Sequence, residues 1–387
     1  MQLLWIDAPA ELAELVRTLT DEPRYALDTE FHGERSYWPH LALIQIAWRD
    51  GVALVDPLSV DPAPLGALLA GEGCMVAHAA DQDLTILERA CGCAPSTLFD
   101  TQVAAGFAGM RAQLSYEGLL REVLDVRLRK TASFTRWDRR PLSPEQLEYA
   151  REDVLHLLAL AAALQERLRS IGRLEWAREE CAYLEEISDE RDVDTIFGRL
   201  PRVNSLDPAQ RAVARELVQW REGLAERGNR PVSSVLQDAT LVEVAKRRPQ
   251  TSERLAQIRG LHESTLRRRG REILEAVARG REREGIPVEG DRPVAPDAAD
   301  APLIALAEAL VRARAAAAGL AYELLATRAD LQRIVTAVRG ANGTPADADV
   351  RTLQGWRREV VGSELLDLLA GQRSLRVGPG LEVQVDG

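Results

Sequence analysis

Apolar positions in the first 165 residues come in short runs with two different periods. Tyr25 to Glu30, Leu41-Ala-Leu-Ile-Gln-Ile-Ala-Trp48 and Val52-Ala-Leu-Val-Asp56 are brief and rich in β-formers. Arg49-Asp-Gly51 between the last two carries the Asp-Gly turn of a hairpin. Met75-Val-Ala-His78 and Thr97-Leu-Phe-Asp100 read as buried strands, each followed by helical spacing such as Asp83-Leu-Thr-Ile-Leu-Glu-Arg-Ala90. Hairpin-linked strands followed by strand-helix units predict a mixed, mostly buried sheet flanked by helices.

Beyond about residue 165 the period of two disappears. Residues 165–190 read as one long amphipathic helix, and Arg199-Leu-Pro-Arg-Val-Asn-Ser-Leu-Asp-Pro208 supplies breakers and a helix start. The fold class expected is therefore α/β plus all-α. An α/β domain with its connecting helix spans 1–190, and a small helical domain spans 205–284. A linker with four prolines spans 285–302, and a second helical domain spans 303–375. The two helical blocks echo each other. Val235-Leu-Gln-Asp-Ala-Thr-Leu241 resembles Leu324-Leu-Ala-Thr-Arg-Ala-Asp-Leu331, and Gly270-Arg-Glu-Ile-Leu-Glu-Ala-Val-Ala-Arg-Gly280 resembles Gly362-Ser-Glu-Leu-Leu-Asp-Leu-Leu-Ala-Gly371, which suggests duplication.

Composition narrows the class. At 387 residues and 46% hydrophobic content the chain can bury two or three cores. It holds no run of eighteen apolar residues, and Met1-Gln-Leu-Leu-Trp-Ile-Asp7 is not a secretion signal, so a soluble cytoplasmic protein, favoured as a monomer and without a membrane partner, is expected. Cys74, Cys91, Cys93 and Cys181 do not have zinc-ligand spacing. The net charge of −11 is unevenly spread: residues 1–190 hold 18 Lys/Arg against 32 Asp/Glu, and residues 205–290 hold 17 against 13. The basic bias falls on the first helical block, where Arg267, Arg268 and Arg269 are candidate phosphate contacts.

Five residues carry the chemistry. Asp28 and Glu30 are two apart on a strand and so share a face, and Tyr149 and Asp153 are four apart on a helix and share a turn. Neither Asp28 nor Glu30 has a basic neighbour in sequence, and converging carboxylates of this kind are tolerable chiefly around a divalent cation. In Ala80-Asp-Gln-Asp83, either Asp81 or Asp83 suits a helix cap or a further ligand. Two divalent ions about 4 Å apart can activate water and stabilise a departing oxygen in phosphoryl displacement. Asp28 would bridge them, Glu30 and Asp153 would complete one site, Asp83 would act from the other side, and Tyr149 would hold the attacking water. Hard oxygen ligands favour Mg2+ or Mn2+.

The set Asp28-Thr-Glu30, Val76-Ala-His-Ala-Ala-Asp-Gln-Asp83-Leu84 and Tyr149-Ala-Arg-Glu-Asp153 resembles the three exonuclease motifs of the DEDD superfamily, in its tyrosine branch. With Phe99-Asp-Thr-Gln102, Arg140-Pro-Leu142 and the helical blocks, nearly the whole chain is similar to the ribonuclease D family. The resemblance implies a ribonuclease-H-like fold with two helical HRDC-like domains. It also implies removal of nucleotides from RNA 3′ ends as 5′-monophosphates by two metals, with precursor and mature tRNA and other small structured RNAs as substrates. It places Asp28, Glu30, Asp83 and Asp153 as metal ligands, settling Asp83 over Asp81, and Tyr149 as the water-positioning residue. Thr29 and Phe31 flank the acids as candidate nucleotide contacts, and Lys130 and Arg140 are candidate phosphate contacts. Arg136 stands where the family often has an acid, so no role is carried over for that position.

Two other readings compete. A DNA 3′–5′ exonuclease would use the same acids, but the chain has no polymerase or helicase motif and no Gly-x-x-x-x-Gly-Lys loop. A silent RNA-binding scaffold would be expected to lack a ligand of the acid set, and none is missing.

Overall fold

The computed structural model describes residues 2–33, 36–111, 113–128, 136–185, 192–287, 300–340 and 349–386. The chain forms two compact units. One holds Met1–Glu30, Ala42–Ser188 and Pro293–Gly387, and the other holds Phe31–Leu41 and Asp189–Arg292.

In the first unit, β1 (Gln2–Ile6) leads into α1 (Pro9–Thr20), then β2 (Arg24–His32), β3 (His40–Ala47) and β4 (Gly51–Val55). A short α2 (Gly66–Leu69) precedes β5 (Cys74–Ala77), α3 (Asp81–Cys91) and β6 (Leu98–Asp100). Five helices follow: α4 (Thr101–Phe107), α5 (Tyr116–Leu124), α6 (Pro144–Leu155), α7 (Leu157–Ser170) and α8 (Leu174–Glu185). The six strands run in the order β1-β4-β3-β2-β5-β6. The expected hairpin is present: β3 and β4 pair antiparallel with Ala47 opposite Val52, and the Trp48 amide donates to Gly51 O at 3.0 Å. β1 pairs parallel to β4 at the sheet edge. Its Gln-Leu-Leu-Trp-Ile sequence lacks the alternation that would mark it as a strand.

One expectation is corrected. The single helix over 165–190 is broken, because the chain turns at Gly172 with φ +69°, a conformation open to glycine without a Cβ clash, and restarts at Leu174. Residues 186–190 of that expected helix lie outside the described residues.

The second unit is helical over α9 (Val193–Gly198), α10 (Pro208–Arg227), α11 (Val232–Val235), α12 (Asp238–Arg247), α13 (Ser252–Ala256) and α14 (Glu263–Glu282). α10 opens on a capping box between Asp207 and Gln210, with Pro208 in the first turn, as the breaker sequence predicts. Val213, Leu217, Leu241, Val244, Leu255 and Ile273 are among its core. Residues 31–41 belong here as well. Tyr37 is buried with Ala225 and Val235, and its amide donates to Asn229 Oδ1 at 3.2 Å.

The C-terminal helices are part of the first unit: α15 (Asp300–Ala318), α16 (Tyr322–Leu325), α17 (Arg328–Gly340), α18 (Gly355–Arg357) and, after a π turn, α19 (Ser363–Leu369). A hairpin of β7 (Ser374–Val377) and β8 (Val383–Asp386) follows. Most of the expected linker 285–302 lies outside the described residues, and α15 takes in Pro302 within its first turn, where the missing N–H costs nothing. Ile304, Leu310, Leu325, Leu331 and Trp356 share one core with Phe99, Phe107, Leu160 and Leu164. Trp356 stacks on Trp176 at 5.6 Å and meets Phe107 edge-on at 4.8 Å, while Glu180 takes Arg351 at 2.7 Å and Arg357 at 2.8 Å. The sequence echo has a structural counterpart. In each block a long helix is followed by a one-turn helix (α11, α16), a fully extended residue (Leu236 at φ −161°, Ala326 at φ −157°) and a further helix.

Candidate active site

β2 runs past its partner on one side. Its parallel pairing with β5 covers Arg24 to Ala26, and the strand continues six residues beyond. Asp28 and Glu30 sit on that extension, two apart and both partly exposed. Between them Thr29 is 6% exposed, and its hydroxyl donates to Asp83 Oδ1. Asp83 reaches the same place from the first turn of α3, 8% exposed. α6 starts at a capping box between Ser143 and Gln146 and brings Tyr149 and Asp153 one turn apart on one side.

The electrostatics show that these elements converge. Burial pushes the Asp28 carboxyl well above the usual carboxylate range, and the charges of Asp83, Asp153 and Glu30 push it further. Glu30 is pushed up to about 8 by burial, then by Asp153 and Asp83. Burial raises Asp153 to about 7, with Glu152 adding to the effect. Asp83 is raised to about 6 by burial, a rise limited by the Thr29 hydroxyl and by backbone amides. The Tyr149 phenol is raised by burial, then by Asp153, Glu30 and Asp28, so it stays protonated at neutral pH. Its ring rests 5.9 Å from that of the buried Trp137.

Among the described residues no group of three or more acidic, histidine or cysteine side chains is already gathered as a metal cage. The ion pairs of the described residues include none to Asp28, Glu30, Asp83 or Asp153. Carboxylates at short range repel one another, and a divalent cation between them would relieve that repulsion. In chemistry the set fits a divalent metal: four carboxyl groups, hard oxygen donors whose affinity for positive charge is raised.

The candidate substrate contacts divide. Arg140 is corrected. Its Nε and Nη2 grip Asp56 at 2.8 and 2.6 Å, Nη1 reaches Trp137 O and Arg139 O, and Nη2 also reaches Ala42 O. A guanidinium has five N–H donors, and all five are engaged, so Arg140 is a structural clamp with none left for a phosphate. The Thr29 hydroxyl serves Asp83. Arg267 and Arg268 are exposed, Arg267 with a loose partner in Glu263 at 3.6 Å. Arg269 differs, since its Nη1 donates to Val235 O at 2.8 Å and Ser234 O at 3.2 Å and ties α14 to α11. Phe31 is partly buried near the end of β2. Lys130 lies outside the described residues. Asp56, the partner that decides what Arg140 does, carries no motif. The Pro57 that follows it, marking the end of a strand, is the sole local sign.

Residues 3–169 match the family described as 3′–5′ exonuclease, and residues 210–277 match the HRDC domain. A ribonuclease D from Granulibacter bethesdensis is 37% identical over 379 residues, 95% of this chain and 92% of that protein. A ribonuclease D from Gluconacetobacter diazotrophicus is 37% identical over 384 residues, 96% of this chain and 94% of that protein. The crystal structure of Escherichia coli RNase D, an exoribonuclease involved in structured RNA processing, superposes with a TM-score of 0.86 at 27% identity, over 96% of this chain and 99% of that one. The fold is that of a 3′–5′ exonuclease, a class dependent on divalent metal. More particularly, the chain belongs to the ribonuclease D family, and it is a 3′–5′ exoribonuclease whose substrate is RNA.

Proposed function

We propose that Asp28, Glu30, Asp83 and Asp153 hold two divalent cations, Mg2+ or Mn2+, and that Tyr149 orients the attacking water. The observation that carries this is that the four carboxyls, drawn from a strand and two helices far apart in sequence, lie near enough that Asp83, Asp153 and Glu30 each add to the rise that burial imposes on the Asp28 carboxyl. Bound there, divalent cations supply Lewis-acid stabilisation of phosphate charge and a more acidic water. The protein's own residues do the rest. Asp28, acted on by each of the other three acids, is read as the residue that would be shared by the two ions. Tyr149, kept protonated by burial and by its carboxylate neighbours, presents an O–H that positions water for in-line attack on the terminal phosphodiester. The product is a nucleoside 5′-monophosphate and an RNA shortened by one residue.

The substrates proposed are precursor tRNA and other small structured RNAs with accessible 3′ ends, trimmed in the cytoplasm by a monomer. Structured-RNA processing by the Escherichia coli relative supports this choice. Residues 205–284 and 303–375 are read as two HRDC-like domains, the second supported by the recurring helix order. Exposed Arg267 and Arg268 on the first are read as the phosphate contacts.

The test pairs a 3′-extended tRNA precursor with matched RNA and DNA oligomers, with and without Mg2+ or Mn2+. Metal-dependent release of 5′-monophosphates from RNA is expected of the wild type. Asp28→Asn should abolish it while leaving RNA binding nearly intact, and undiminished cleavage by that variant overturns the assignment.

A further inference from the structure

The helix that carries Tyr149 and Asp153 stops where its sequence gives no reason to stop. Asp153-Val-Leu-His-Leu-Leu158 contains neither proline nor glycine, yet α6 ends at Leu155 and α7 begins at Leu157. An uninterrupted helix would join Glu152 O to the His156 amide. The Tyr116 hydroxyl stands in that position instead. It donates to Glu152 O at 3.3 Å and so takes the carbonyl that the His156 amide would use. His156 takes φ −105° and ψ −4°, and its amide turns toward Val154 O. Insertion of a side-chain hydroxyl into the i to i+4 ladder is a recognised cause of a helix break. Its O–H is thus committed to the backbone of α6.

From Tyr116 a chain of contacts runs to the turn that precedes Asp83. Its ring lies 5.8 Å from that of His78, and His78 Nδ1 is 3.0 Å from Thr101 Oγ1, which itself donates to Ala77 O at 2.9 Å. The neighbouring Asp100, buried at 1%, accepts from the Ala80 amide at 2.9 Å with Oδ2, and from Gln102 N and Val103 N at 2.7 and 3.1 Å with Oδ1. These bonds pin the turn between β5 and α3, where Ala79 is held at φ +56°, unfavourable for a residue with a Cβ. Asp83 follows in the next helical turn.

We infer that Tyr116, inserted between Glu152 and His156 and linked through His78 and Thr101 to the Asp83-bearing turn, is a positioning residue that fixes the separation of Asp153 from Asp83. This rests on the reading of the four acids as metal ligands. Removing the hydroxyl lets Glu152 O and His156 N bond directly, which rotates Asp153 about the straightened helix.

The experiment uses the full-length chain. Mn2+ binding is measured by calorimetry without RNA, kcat and KM on a 3′-labelled RNA, and the melting temperature, for the wild type, Tyr116→Phe, Thr101→Val, Thr101→Ser and Asp28→Asn. Tyr116→Phe and Thr101→Val should bind Mn2+ about tenfold more weakly, as substitutions behind metal ligands do. Their kcat should fall at limiting metal and recover as Mn2+ is raised, with KM for RNA unchanged, while Thr101→Ser, which keeps the hydroxyl, behaves as wild type. Wild-type Mn2+ affinity and kcat in Tyr116→Phe, or in Thr101→Val should the first variant not fold, overturn the inference. If Asp28→Asn is nonetheless inactive in that case, the acid assignment stands and the positioning role alone falls. Full activity in Asp28→Asn overturns both.

Discussion

Arg140 holds Asp56 through two parallel hydrogen bonds, at 2.8 and 2.6 Å, with Asp56 only 2% exposed. The clamp ties the segment before α6 to the end of β4, so it supports the helix that carries Tyr149 and Asp153 without reaching the acids itself. Burial raises the Asp56 carboxyl, but its bonds to Arg140, Leu58 N and Ser59 outweigh that and hold it below the usual range. A depressed folded value means stability that is present above the ordinary carboxylate pKa and lost as pH falls through the folded one. Arg140→Gln should therefore destabilise the protein by about 3 kcal/mol, since a buried charge loses its partner. The loss should show in urea unfolding near neutral pH and shrink as Asp56 protonates, with RNA affinity per folded molecule unchanged.

The acid set predicts the opposite pH dependence. Glu30 at about 8, Asp153 at about 7 and Asp83 at about 6 bind protons more tightly folded than unfolded. In EDTA their contribution is fully present below the ordinary carboxylate pKa and is lost as pH rises to about 8, so the melting temperature should fall over that window. Saturating Mg2+ should reduce the fall, and Glu30→Gln should reduce it without metal. A melting temperature independent of pH in EDTA counts against the close approach of these groups.

Thr29→Val removes the hydroxyl that Asp83 accepts from. The metal concentration for half-maximal activity should rise about tenfold, the scale seen when a ligand loses its supporting bond. KM for RNA at saturating metal should not move.

Arg267 and Arg268 are exposed and Arg269 is bonded to α11 carbonyls. Replacing the first two by Gln should lower the slope of log affinity against log salt by about 1.4, or roughly 0.7 per phosphate contact on single strands. Arg269→Gln should instead lower the melting temperature of the helical unit. Equal slopes in wild type and the double variant would make the pair an ordinary solvated face.

Trp356 is buried at 1% among Phe107, Trp176 and the C-terminal helices. Trp356→Ala should cost about 3–5 kcal/mol, the usual range for a large aromatic removed from a core. Denaturant unfolding of the full chain measures it.

The chemistry was more legible in the chain than the framework that supports it. Asp28 and Glu30 stand out because a period of two places like charges on one face, Tyr149 and Asp153 because a spacing of four stacks them on one helix face, and Asp83 only through its resemblance to a family motif. The β3–β4 hairpin is equally plain in its Asp-Gly turn. Long-range partnerships are not. Arg140 reads as a phosphate contact until Asp56, 84 residues away, is seen to occupy it. Tyr116 looks like an ordinary first-turn residue of α5, and nothing in Val154-Leu-His-Leu157 foretells the break it makes. The grouping of α15–α19 with the sheet rests on shared apolar residues whose spacing is indifferent to their partner. Gly172 could have been taken as a helix stop, but a lone glycine inside an amphipathic pattern is ambiguous.

The stacked indoles of Trp176 and Trp356, one on each side of the seam between the sheet-bearing part and the last helices, have an optical consequence. Two such chromophores with ring centres 5.6 Å apart couple their excited states, giving a paired signal in near-ultraviolet dichroism that disappears when they part. The protein thus carries its own gauge of whether its C-terminal helices stay seated while RNA is consumed, readable in solution without any attached dye.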